Sequence, residues 1–272
     1  MYDVMIIGAG PAGLSAAVNV RQRGGTALVV GLSNLNNPLY KAERLDNYLG
    51  MYGVTGKEML EIFEKHAQDM GVDFNQNRVL NTMFTGTSWM VSAGSDVLEA
   101  KALIFAGGIM RGKPYPGEEA YVGRGVSYCA TCDGMLYRGR KVAVIGFGPA
   151  DKEEAGYLEG IGCLVTYYEK PRKVEIKGKE KVTSVVIDGE ESQVDGVFVL
   201  RPSLAPSDLF PGIELDGNYI RVNREMETNL QGLFAAGDCT GTPLQVAKAV
   251  GEGMIAGQKA MAYVKSVSGT QK

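Results

Sequence analysis

Asp3-Val4-Met5-Ile6-Ile7 followed at once by Gly8-Ala9-Gly10-Pro11-Ala12-Gly13 decides how the chain is read. The apolar run has the character of a buried parallel strand, and an alanine-rich helix is predicted from Leu14 to about Arg23. Strand, glycine turn and helix in that order are the context a G-x-G-x-x-G dinucleotide fingerprint needs. Gly8 suits the tight turn, Gly10 lets backbone N–H groups approach a pyrophosphate at the helix N-terminus, and Gly13 permits close helix–strand packing. The next strand, Thr26 to Val30, ends in Gly31, where an acidic residue would otherwise hold a ribose. The pyrophosphate site is therefore expected without that contact.

The same unit recurs. Lys141 to Ile145 is a second strand, followed by Gly146-Phe147-Gly148-Pro149-Ala150-Asp151 and a helix to about Ile161. Its sixth position carries Asp151 where the first copy has Gly13, an anionic side chain where phosphates would lie. Strand Cys163 to Tyr168 then ends at Glu169. Between the two copies stands Cys129-Ala130-Thr131-Cys132-Asp133-Gly134. Two cysteines with two residues between them form either a redox pair or half of a zinc site. The remaining candidates, Cys163, Cys239 and His66, do not pair at ligand spacing, so the redox reading is favoured and no metal is expected. Asp133 is placed to pass a proton to a leaving thiolate, and Gly134 to turn the chain.

With 272 residues, 45% of them hydrophobic and 8% aromatic, the chain is long enough for two soluble domains. A net charge of -3 predicts no nucleic-acid partner. Four cysteines are too few for a secreted disulfide framework, and neither a leader pattern nor an apolar run of membrane-spanning length is read, so a cytoplasmic location is expected. Thr55 to Glu58 has capping-box spacing before an amphipathic helix that Gly71 stops, and His66 on that helix is given no role. Val79 to Phe105 reads as a meander closing in the strand Ala102 to Phe105 and the small triplet Ala106-Gly107-Gly108. Closely spaced prolines near Lys113 to Gly117 suggest a domain boundary or hinge, and a second boundary falls around Arg201 to Pro206. In the last segment, Thr228 to Asp238 is a turn and an apolar strand ending in Gly237 and Asp238. An aspartate there can accept hydrogen bonds from sugar-like hydroxyls such as a ribityl chain. The helix predicted from Leu244 to about Val264 follows Pro243, and its first N–H groups can stabilise negative charge on a reduced flavin.

Taken together, the GAGPAG turn, the CATCDG insert, the second glycine unit and Thr228-Asn-Leu-Gln-Gly-Leu-Phe-Ala-Ala-Gly-Asp238 resemble the low-molecular-weight thioredoxin reductases. The resemblance covers essentially the whole chain. It implies an α/β protein of two Rossmann-like, three-layer ββα domains: a split FAD-binding domain (1–113 and 206–272) and a smaller inserted redox domain (114–205) carrying Cys-x-x-Cys. It further implies FAD contacts at Gly8, Gly10, Pro11, Ala12, Gly13, Gly107, Gly237, Asp238, Gln245 and Val246, thioredoxin as partner, and a homodimer. Cys132 would face the flavin, Cys129 would attack the partner's disulfide, and Asp133 would carry the proton.

Departures gather in the insert. NADPH-using members have a small residue in place of Asp151 and an arginine-bearing stretch after the strand that ends here at Tyr168. This chain has Glu169-Lys170-Pro171-Arg172-Lys173 and a shortened connection. These losses resemble the ferredoxin-dependent flavin thioredoxin reductases, which use no pyridine nucleotide, and make ferredoxin the expected electron donor. Two alternatives stay open: an NAD(P)H-dependent thioredoxin reductase, with Glu169 as ribose ligand, and an oxygen-using flavin dithiol oxidase. Lys170 to Lys181 holds six basic and two acidic residues, a docking site for acidic ferredoxin or simply a solvated hairpin.

Overall fold

The computed structural model of the chain describes residues 1–32, 37–108, 114–128, 130–200 and 206–269. Cys129 lies outside the described residues, as does the side chain of Cys132. The chain forms two compact units, Met1–Met110 with Ser203–Lys272, and Arg111–Pro202. The first unit begins with β1 (Tyr2–Ile7), α1 (Pro11–Gln22), β2 (Ala27–Val30), α2 (Gly56–Asp69), β3 (Asp73–Asn75), β4 (Val79–Phe84), β5 (Trp89–Ala93) and β6 (Asp96–Phe105). The second contains β7 (Val126–Ser127), α3 (Ala130–Asp133), β8 (Lys141–Gly146), α4 (Pro149–Gly160), β9 (Leu164–Glu169), β10 (Val174–Gly178), β11 (Val182–Ile187), β12 (Glu190–Gln193) and β13 (Gly196–Leu200). The first unit resumes with α5 (Pro206–Leu209), β14 (Leu215–Asp216), β15 (Tyr219–Ile220), β16 (Leu233–Ala235) and α6 (Val246–Gly269).

In the first unit β1 is buried because parallel strands lie on either side of it, β2 and β6, and both its faces are covered. Val4, Ile6, Val29 and Ile104 face a helical layer of α1 and α6, whereas Met5, Ile7, Leu28 and Phe105 face a second core with Trp89 and Phe210. Strand β6 does two jobs along its length: its first half pairs antiparallel with β5, its second half parallel with β16. That is why it extends back to Asp96, well before the predicted Ala102. Helices α1 and α6 meet at unusually close range. A Cβ on Gly253 would fall 2.1 Å from the Ala12 carbonyl oxygen, and one on Gly257 would fall 2.4 Å from that of Ala16. Helix α2 starts with the predicted capping box: Thr55 Oγ1 accepts from the Glu58 N–H (3.2 Å) and Glu58 Oε2 accepts from the Thr55 N–H (2.8 Å). His66 on α2 is exposed.

The second unit is built on a parallel sheet of order β7-β13-β8-β9 and an antiparallel sheet of order β10-β11-β12. Alternation along the strands fills two cores. Val142, Val144, Phe198 and Leu200 pack with Ala130 of α3 and with Ala155 and Leu158 of α4. Ala143, Ile145, Val197 and Val199 pack with Val174, Ile176, Val182, Val185 and Ile187 of the antiparallel sheet. Helix, parallel sheet and antiparallel sheet thus form three layers. The basic run from Lys170 to Lys181 contains β10, because Val174 and Ile176 alternate with Glu175 and Lys177 and are buried to 5% and 3% exposure. Among the described residues no helix is long and apolar enough to cross a membrane.

Candidate redox active site

In parallel sheets, loops at the carboxyl ends of the strands converge on one edge. Strands β1, β6 and β16 are parallel neighbours, so the Gly8–Gly13 turn, the Ala106–Gly107 segment and the Gly237–Asp238 turn emerge together. The pairing continues past the strands, with the Ala106 N–H donating to the Ile7 carbonyl (2.7 Å) and the Ala236 N–H to the Phe105 carbonyl (3.0 Å). Gly8 has φ 113°, in the left-handed half of backbone space, and a Cβ there would lie 2.4 Å from the Ala106 oxygen. Gly10 caps α1, Pro11 occupies its first turn, and Ala12 and Gly13 are buried inside it. Gly237 has φ 91° and ψ -150°, and a Cβ there would meet the Ala12 methyl at 2.8 Å, which brings the second turn directly onto the first.

Asp238 is half-buried; burial pushes its carboxyl above the ordinary aspartate range, against the pull of Lys248 and with the push of Glu252. Helix α6 begins at Val246 rather than Leu244, and the Gln245 carbonyl accepts from the Ala249 N–H (3.0 Å) as its first capping contact. The Gln245 side-chain oxygen accepts from Asn47 Nδ2 (2.7 Å), a partner the sequence pattern did not point to. These turns fit an adenine dinucleotide with a ribityl chain: the backbone at Gly8 and Gly237 has no room for side chains, the first turn opens into the N-terminus of α1, and the second turn carries the Asp238 carboxylate.

The second unit repeats the geometry with different contents. Strands β7 and β8 run parallel in one sheet, so α3, which carries Cys132, and the Gly146–Asp151 turn leave the same edge. Ser127 Oγ donates to Asp133 Oδ2 (2.7 Å), and Gly134 tucks beneath α4, where a Cβ would lie 2.7 Å from Leu158 Cδ2. Glu154 Oε2 accepts from the Ala130 N–H (3.4 Å). Burial raises the pKa of the Tyr137 phenol, and the charge of Asp133 adds to it.

At the second turn Asp151 is fully buried, with 0% exposure, and its Oδ2 accepts from the Phe147 N–H (2.6 Å) and the Gly148 N–H (3.0 Å). Tyr167 covers the adjacent backbone, its hydroxyl oxygen 2.2 Å from where a Gly146 Cβ would be. Burial pushes that phenol up to about 12, with Asp151 and Glu169 contributing. Glu169 itself pairs with Lys152 Nζ (3.0 Å). Cys163 and Cys239 are buried, and burial raises both thiols, Cys239 to about 12.

Sequence comparison matches residues 2–174 and 169–253 to the pyridine nucleotide-disulphide oxidoreductase family. The thioredoxin reductase of Bacillus subtilis is 32% identical over 308 aligned positions, which cover 100% of this chain and 98% of that protein. The chain belongs to the low-molecular-weight thioredoxin reductases. Among solved structures, a ferredoxin-flavin thioredoxin reductase from Clostridium acetobutylicum superposes with TM-score 0.93 at 37% identity, covering 98% of each chain. A thioredoxin reductase from Gloeobacter violaceus superposes with TM-score 0.86 at 30% identity, covering 97% of this chain and 94% of that one. Thioredoxin reductases of this family are FAD-binding flavoprotein disulfide oxidoreductases. The paired strand–glycine–helix units of this chain are those of that family.

Proposed function

We propose that this chain reduces thioredoxin through Cys129 and Cys132, with FAD held by the first unit and electrons delivered by reduced ferredoxin rather than by NADPH or NADH. The observation that carries the donor assignment is the Asp151 carboxylate. It occupies the N–H groups of Phe147 and Gly148 at the start of α4, the groups that would otherwise receive a pyrophosphate. A nucleotide would have to displace a buried carboxylate and place like charge beside it. The Lys152 ion pair with Glu169 engages the acid that an NAD-dependent reading would assign to a ribose. The similarity to the Clostridium ferredoxin-flavin enzyme supports the same donor.

When bound, the flavin supplies the conversion between one-electron delivery and two-electron disulfide chemistry. The residues of the chain do the rest. In the reduced dithiol, Cys129 attacks one sulfur of the thioredoxin disulfide as the thiolate, forming a mixed disulfide and releasing the other sulfur as a thiolate. Cys132 then attacks Cys129, so that the cysteine pair is oxidised to a disulfide and thioredoxin leaves as a dithiol. Asp133, held by the Ser127 hydroxyl, takes and returns the proton that moves with the thiolates. Plant-type ferredoxins near about -400 mV and thioredoxin near about -270 mV differ by roughly 130 mV, about 6 kcal/mol downhill for two electrons. Assembly as a homodimer in the cytoplasm completes the proposal, on the family resemblance and the low cysteine count. Anaerobic mixing of the oxidised flavoprotein with reduced ferredoxin, NADPH or NADH tests it: only ferredoxin is expected to bleach the flavin rapidly. Fast bleaching by either nucleotide would return the assignment to an NAD(P)H-dependent enzyme.

A further inference from the structure

Lys248 and Glu252 lie one turn apart on α6, and their side chains retain 15% and 17% exposure. Neither is spent on solvent. Lys248 Nζ donates to the Gly237 carbonyl (2.9 Å), to Thr240 Oγ1 (3.0 Å) and to Glu252 Oε2 (3.1 Å), which uses all three of its hydrogens. Glu252 Oε2 accepts from the Gly237 N–H (2.9 Å) and lies 2.7 Å from Thr240 Oγ1. The two side chains therefore hold both the N–H and the C=O of Gly237, fixing the peptide planes on either side of a residue at φ 91°. Asp238 comes next in the chain.

We infer that Lys248 and Glu252 are positioning residues of the cofactor site, a charge-neutral clamp that sets the Gly237–Asp238 turn before FAD arrives; the inference rests on the flavin reading above. A clamp made by side chains of the following helix leaves little ordering for the cofactor to impose, and preorganisation of this kind raises affinity. Opposite charges are needed because the cluster is largely desolvated. Either one alone would be uncompensated, and both act on the Asp238 carboxyl in opposite senses. A surface i,i+4 pair would contribute little; this one grips backbone.

The test uses full-length protein loaded with FAD, with the dissociation constant read from the recovery of flavin fluorescence on serial dilution. Circular dichroism melts of the same samples fix a temperature at which every variant is folded. Glu252→Ala is expected to weaken FAD binding roughly tenfold or more. Glu252→Gln, whose amide oxygen still accepts from the Gly237 N–H but which leaves the Lys248 charge uncompensated, is expected to bind FAD less tightly than wild type and at least roughly threefold more tightly than the alanine variant. If the alanine variant does not fold, Lys248→Met/Glu252→Gln decides, because it releases the Gly237 carbonyl without leaving a lone charge; roughly tenfold weaker binding is again expected. Wild-type affinity in the folded variants, or a glutamine variant as weak as the alanine one, would overturn the clamp alone. A wild-type protein that takes up no FAD would overturn the flavin reading and the clamp with it.

Discussion

Asp151 Oδ2 lies 2.6 Å from the backbone nitrogen of Phe147, inside the turn that opens α4. The corresponding turn of the first unit, Gly8 to Gly13, has no side chain in that place, because Gly13 stands at the matching position. One sequence pattern has thus been built twice, once with a glycine at its sixth position and once with an internal anion on its N–H groups.

Replacing Asp151 by Ala should therefore have two separable effects. Loss of a helix cap costs about 1 kcal/mol, lowering the thermal midpoint by a few degrees. Removal of the buried like charge should also raise affinity for NADPH by at least about a hundredfold, since each 1.4 kcal/mol is about tenfold. Equilibrium titration of NADPH against both proteins checks it. Equal, negligible binding by the two would mean that Tyr167 or the rest of the turn closes the site without help from Asp151.

The cofactor released by acid from purified protein should be FAD and not FMN. Two turns meeting through Gly237 and Ala12 fit a dinucleotide, and a mononucleotide would leave the Gly8–Gly13 turn without its pyrophosphate. Gly237→Ala forces a methyl group to 2.8 Å from the Ala12 Cβ and an L residue to positive φ, so the flavin content of that variant should fall sharply. Chromatography of the released flavin decides both points, and full FAD occupancy in the variant would show that the turn can relax.

How much of this was readable in advance follows from the range of each interaction. The strand–glycine–helix units, the Thr55 cap and the stop at Gly71 are local patterns, and they appear where the sequence places them. Strand β10 was hidden by its own charges, since only Val174 and Ile176 of the basic run turn inward. Asp151 could be recognised as an intruder in a glycine motif, but its bonds to Phe147 and Gly148 depend on the finished turn. Ser127, Lys248 and Glu252 carried no usable signal. A serine six residues before an aspartate and a Lys–Glu pair at helical spacing are ordinary, and only tertiary folding brings them onto Asp133 and Gly237.

Helix α6 should tolerate no side chain where it crosses α1. Gly253→Ala places a methyl carbon 2.1 Å from the Ala12 oxygen, which is backbone and cannot swing aside. Overpacking of this kind costs about 1–3 kcal/mol, so the thermal midpoint should drop by roughly 3–10 °C. Gly251→Ala is the control, because among the described residues nothing outside its own stretch of helix backbone lies within 4 Å of a Cβ at that position. Similar melting of the two variants would contradict the close approach of the helices.

The four cysteines should separate cleanly in alkylation of the reduced, native protein. The thiolate is the reacting form, and burial holds Cys239 at about 12 and raises Cys163 as well, so neither has an appreciable thiolate fraction near neutral pH. Raising the pH toward 9 should still leave both unmodified, because a raised pKa moves ionisation further up the scale and the buried sulfurs remain out of reach. Cys129 and Cys132 should take up reagent after reduction and be protected before it, as a disulfide pair requires. Iodoacetamide treatment followed by peptide mass spectrometry reads all four at once. Turnover supplies the second half of the test: Cys129→Ser and Cys132→Ser should each abolish thioredoxin reduction, whereas Cys163→Ala, which removes only a buried sulfur, should retain it. Labelling of Cys239 in the folded protein, or near wild-type turnover in either serine variant, would mean that the electrons leave by some route other than the Cys129–Cys132 pair.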